Sequence, residues 1–238
     1  LQPSSCRVVF EEPFHGSGIT LYTTGSGTLE FDAPGNAFNT VYSFADPWFF
    51  YAENAFSSNL VQLKFGGANA VLNLRGDQTI NKLTTLAFTA SAVGKAGVNG
   101  ETPSALRFEG ANIGSYVFPG LFKGQAGLCW NPSSATKEFC FSNTLQTTTG
   151  SILVSNGTVR VKSGAGFSAL GSLAVAANAT FAVEPTAAEM KADVVALDSS
   201  ACLELGAGKT LYCQALSTGD VALVSGTYFA ADLPGMVE

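Results

Sequence analysis

From Gly150 onward the chain reads GSILVSN (150–156), GTVRVKS (157–163), GAGFSAL (164–170), GSLAVAA (171–177) and NATFAVE (178–184). Each block opens on a turn-tolerant residue: Gly150, Gly157, Gly164, Gly171 or Asn178. Apolar residues then alternate, as Ile152 and Val154, Val159 and Val161, Leu173 and Val175, and Phe181 and Val183. A period of two puts those side chains on one face of an extended strand. Seven-residue spacing also marks coiled coils, but a helix accommodates neither that inner period nor a glycine in nearly every block. The blocks predict short, half-buried strands joined by turns.

The same style continues downstream. Cys202–Leu205 leads into Gly206-Ala207-Gly208, then Thr210–Cys213, then Val221–Val224. Strand–turn units at this density form either an antiparallel sandwich or a parallel β-helix, in which stacked coils bury a continuous core. The best candidate for a helix is TAAEMKADVVAL (186–197), which follows Pro185. Upstream, AVLNLRGDQTINKLTTL (70–86) alternates around a turn at Gly76-Asp77, whereas YSFADPWFFYAENAF (42–56) is dense in aromatics. No polar linker marks a firm boundary. The division expected is an aromatic-rich cap or irregular, sandwich-like β region over 1–65 and solenoid repeats over 66–238.

Composition narrows the function classes. Charged residues make up 13% of the 238 and the formal net charge is −6, with the basic residues scattered, so nothing would attract a phosphate backbone and no nucleic-acid partner is expected. No apolar run reaches the ~18 residues of a membrane helix, and no membrane insertion of this segment is expected. The opening Leu1-Gln2-Pro3-Ser4-Ser5 reads as the start of a mature or excised segment, with any export signal already removed. Of five cysteines, Cys129 and Cys140 share one short separation with Cys202 and Cys213. Two local disulfides would fit, each stabilising by about 3 kcal/mol in the chain-entropy model and leaving Cys6 unpaired. Buried free thiols fit equally well. With no C-x-x-C and one histidine, no metal site and no cofactor are expected.

Several phrases resemble a known family. LNLRGDQTINKLTTL (72–86) is similar to a recurrent phrase of autotransporter-associated β-strand repeats, and FKGQAGLCW (122–130) to the phrase preceding each repeat. FSNTLQTTTGSILVSNGTVRVKSGAGFSAL (141–170) resembles their core unit, while GAGKTL (206–211) and SGTYFAADLPGMVE (225–238) resemble the segment that closes such arrays. The phrases occur in the family's order across residues 66–238. The resemblance implies a right-handed parallel β-helix in bacterial surface or secreted proteins, often adhesins, and implies no catalytic residues. The chain departs from the family in its cysteines and in lacking a C-terminal membrane barrel.

Candidate chemistry is sparse. His15 lies near Glu11 and Glu12 and could be a base or ligand, although a surface turn residue is the simpler reading. Glycoside hydrolysis needs two carboxyls flanking one bond. Asp32, Asp46, Glu53, Asp77, Glu101 and Glu109 are available, and Asp77 is expected to cap the turn after Gly76. A lyase would use cations such as Lys64, Arg75 and Lys82. Tyr42, Trp48 and Tyr51 could stack on sugar rings or cover the end of a solenoid, and Trp130 raises the same choice. The sequons at Asn156 and Asn178 matter only in a eukaryotic secretory pathway. The sequence leads to a non-enzymatic, secreted or cell-surface solenoid of structural, adhesive or self-assembling use. Its partners would be further copies or a surface polysaccharide. The alternative is a carbohydrate-active protein, either a glycan-binding module or a β-helical hydrolase or lyase.

Overall fold

The computed structural model describes residues 7–15, 19–23, 28–43, 47–50, 53–56, 60, 62–219, 221–224 and 233. Among these there is no helix. The chain is a β-solenoid of stacked parallel coils. One face is a long row formed by β1 (Arg7–Phe10), β3 (Thr28–Phe31), β5 (Pro47–Phe50), β7 (Val71–Leu74), β10 (Gly97–Gly110), β12 (Leu121–Pro132), β15 (Ser151–Val154), β17 (Gly166–Val175), β19 (Met190–Leu197) and β21 (Leu211–Thr218). The intervening strands form two further rows. The first holds β2 (Ile19–Thr23), β4 (Phe38–Ser43), β6 (Gln62–Phe65) and β9 (Thr85–Phe88). The second holds β11 (Tyr116–Phe118), β13 (Glu138–Phe141), β16 (Thr158–Val161), β18 (Thr180–Val183) and β20 (Cys202–Leu205). Two short strands, β8 (Gln78–Ile80) and β14 (Leu145–Gln146), join the long row beside β10 and β17. Of the pairings described, only that of β21 with β22 (Val221–Ala222) is antiparallel.

The seven-residue blocks explain the register. Ile152 pairs with Leu173, three blocks later, so three blocks make one coil of this part of the stack. The inward column runs Leu128, Ile152, Leu173, Val195, Leu216. On the opposite face it runs Phe139, Val159, Phe181, Leu203. All but Leu216 are buried. Corner residues permit the stacking in two ways. Gly157 sits at φ 73°, a left-handed turn that a β-carbon disfavours. Gly171 has ordinary φ, but a β-carbon there would lie 2.3 Å from the Thr149 carbonyl oxygen of the coil below.

The expected helix over 186–197 is not formed: Met190–Leu197 is a strand of the long row. Met190, Ala192, Val195 and Leu197 point inward, and its backbone pairs with both neighbouring coils. Ladders on both sides outweigh a weak local helical preference.

Aromatics fill the middle of the stack. Phe118, Phe139, Phe141 and Phe167 form a chain with ring centroids 5.1–5.8 Å apart. Trp130 lies 5.6 Å from Phe139 and is fully buried, which makes it a core residue. Buried amides tie coils together where corners leave backbone groups unpaired. The Gln146 Oε1 accepts from the Phe122 N–H at 2.7 Å, and its Nε2 donates to the carbonyls of Gly120 and Thr144. Gln78 bonds Phe56 N–H and C=O in the same manner, and the Asn36 Nδ2 donates to Ala33 and Ala55.

Replacing Gln146 with the similarly sized Leu strands a buried N–H and carbonyl. Stability is expected to fall by about 3 kcal/mol, read as a lower urea midpoint with unchanged slope. A loss under about 1 kcal/mol would contradict the stapling role.

Candidate functional site

The alternation that buries one set of side chains turns the other outward, stacked coil upon coil. On the long row the outward face is divided. Its middle coils carry Asp77, Arg107 and Glu109. The Arg107 Nη1 donates to the Asp77 Oδ2 and its Nε to the Glu109 Oε1, both at 3.1 Å. Asp77 Oδ1 accepts from the Ala105 N–H at 2.8 Å. Asp77 therefore clamps the next coil instead of capping the Gly76 turn. Arg75 donates to Glu101 at 2.5 Å. The structure thus brings Asp77 and Glu109 together about one guanidinium and places Glu101 on a neighbouring pair. Glu53 and Asp32 lie exposed elsewhere, and Asp46 falls outside the described residues.

On the C-terminal coils of the same face two neighbouring outward columns are uncharged, while Lys191 and Asp193 stand exposed beside them on β19. One outward column is Ser151, Ser172, Val194, Ala215, and the next is Leu153, Ala174, Ala196, Ser217. Ser172 Oγ donates to Ser151 Oγ at 2.8 Å, and Val194 is 45% exposed. A depression of about 750 Å³ adjoins it, bordered by Leu153, Ala196, Asp198 and Thr218. On the opposite face Arg160 donates to Glu138 at 3.2 Å and to Glu204 at 3.4 Å, and Lys162 lies 3.9 Å from Glu138.

The members of each expected pair occupy different rows: Cys129 in β12 against Cys140 in β13, and Cys213 in β21 against Cys202 in β20. Cys129, Cys140 and Cys213 carry free thiols, so neither expected local bridge is made. Residues close in sequence are carried to opposite faces by the turn between them. Cys140 Sγ donates to Glu138 Oε1 at 2.6 Å. Burial, reinforced by that carboxylate, pushes its thiol up to about 12. Burial also raises Cys129, against the pull of Arg107, and Cys213. Cys6 lies outside the described residues.

The aromatic candidates are placed in part. Tyr42 pairs in register with Tyr22 and Lys64. Trp48 pairs with Leu29 and Leu72, both core residues. The two stand in different rows, and Tyr51 and the side chains of Tyr42 and Trp48 lie outside the described residues. His15 is exposed, as are Glu11 and Glu12. Among the described residues, no three His, Cys, Asp or Glu side chains are grouped to hold a metal ion, and no helix is long and apolar enough to cross a membrane.

The site and fold define a β-solenoid with a divided outer face. Comparison with known proteins adds no relative: no family model, no curated protein and no solved structure matches this chain.

Two buried groups set an alkaline limit. Tyr116 accepts from the Gly114 N–H and donates to the Leu83 carbonyl, and burial pushes it up to about 12. Above their ordinary values the unfolded chain loses protons that the folded chain keeps, so stability falls as pH rises towards 12. Thermal midpoints are expected to drop progressively over that range, and less steeply in a Cys140→Ser variant. At pH 8, of Cys129, Cys140 and Cys213, Cys213 should alkylate first, with Cys140 reacting only on unfolding. Rapid native alkylation of Cys140 would contradict this placement.

Proposed function

We propose that this chain is a non-enzymatic, secreted or cell-surface β-solenoid module whose role is structural and adhesive. Self-association would run through the uncharged part of its long face. The observation that carries this reading is the pair of outward columns from Ser151 to Ala215 and from Leu153 to Ser217, which contain no charge over four coils. Small neutral side chains on a sheet make a surface that a second flat surface can approach without desolvating ions. Paired charges lie on other coils and, as Lys191 with Glu189, beside these columns, and they confine the neutral contact to the columns themselves. The resemblance to autotransporter-associated β-strand repeats supports the same assignment, because such arrays are built into bacterial surface and secreted proteins. Paired side chains such as Arg107 with Asp77 and Glu109 act as ladder contacts in this reading, not as reacting groups.

Sedimentation velocity over a concentration series tests the proposal. The natural sequence is expected to self-associate, and Val194→Glu with Ala174→Glu to shift it at least tenfold towards monomer. A strict monomer at high concentration that also binds no insoluble polymer would overturn the reading.

A further inference from the structure

A second surface feature lies at the corner of the middle coils, after the last residues of β10, β12 and β15. A groove of about 520 Å³ is lined by Asn81, Glu109, Asn112, Asn131, Ser133 and Asn156, with Gly110, Ala111 and Pro132 between them. The coil stack creates it. Glu109 pairs in register with Asn131, and Asn81 follows Ile80, which pairs with Phe108. Residues far apart in sequence therefore converge from β8, β10, β12 and the turn after β15.

Several amides elsewhere on this solenoid bond neighbouring coils. Asn36, Gln78 and Gln146 bond the backbones of neighbouring coils. Asn54 accepts from the Thr79 N–H, and Asn99 donates to Asn73. In the groove only Asn156 is engaged in this way, donating to the Pro132 carbonyl and accepting from the Gly157 N–H. The side chains of Asn81, Asn112, Asn131 and Ser133 make no hydrogen bond with the protein among the described residues. Glu109 gives Oε1 to Arg107 and keeps Oε2 turned to no partner among those residues.

We infer that this groove is a binding site for a short, neutral oligosaccharide. A primary amide presents a donor and an acceptor side by side, which matches two neighbouring hydroxyls of a sugar ring. Glu109 Oε2 adds a charge-assisted acceptor for a hydroxyl proton. The volume is that of a small-molecule site. Charge selects the class. Arg107, the cation beside the groove, is held between two carboxylates, and the protein carries a net −6, so uronates and sulfated glycans are repelled. Of the lining residues only Asn156 belongs to a coil that carries the uncharged columns, and no residue of those columns lines the groove, so the site does not depend on the self-association proposed above.

Titration calorimetry with cellohexaose, chitohexaose, mannohexaose and hexagalacturonate tests the inference. At least one neutral hexamer is expected to bind and the galacturonate not to. Asn81→Ala/Asn112→Ala/Asn131→Ala changes exposed side chains only, so its thermal midpoint should stay unchanged while affinity drops at least tenfold. Val194→Glu should leave sugar binding unaltered, which separates this site from the neutral face. Failure of all three neutral hexamers, preference for the galacturonate, or undiminished binding by the triple variant would overturn it.

Discussion

Everything in this molecule depends on the parallel hydrogen-bond ladder between coils. Once β15 lies on β12 and β17 on β15, each side chain stands above its counterpart one coil away. Inward columns must then be apolar through the whole stack, because a single polar residue would face the core with neighbours above and below. The corners are where such a ladder fails, since the chain must turn while the next coil passes within van der Waals distance. Glycines such as Gly171 permit the approach, and buried amides such as Gln146 satisfy backbone groups that the turn leaves unpaired.

The same constraint governs the outer surface. Charges on this surface are paired with neighbours along a strand or across coils: Arg107 with Asp77 and Glu109, and Arg160 with Glu138 and Glu204. Each exposed pair contributes little stability, at most about 1 kcal/mol. Their effect is to mark where the surface stays solvated. Over the last coils two columns turn to Ser, Ala, Leu and Val, beside the exposed Lys191 and Asp193. The solenoid thus carries paired charges and a pair of neutral columns on one continuous sheet.

How much of this was legible in the sequence depends on the range of the interaction. Alternation around Gly150, Gly157 and Gly171 is local, so strands and turns could be read directly. The coil length was present as three successive blocks but became visible only when Ile152 met Leu173. Thr186–Leu197 misled because helical spacing and strand alternation overlap in short alanine-rich runs, and the deciding ladder comes from β17 and β21. Cysteine spacing misled similarly: nearness along the chain means opposite faces once a turn intervenes. Asp77 read as a turn cap because its partner, the Ala105 N–H, is a full coil away. The groove of Asn81, Asn112 and Asn131 has no local signal, since only stacking assembles it.

Interstrand nuclear Overhauser contacts in isotopically labelled protein test the central claim most directly. A parallel solenoid predicts backbone contacts of Ile152 with Leu173 and of Val159 with Phe181, and none between β15 and β16, which occupy different rows. Antiparallel contacts between β15 and β16, as in a hairpin, would contradict the stack and everything derived from it.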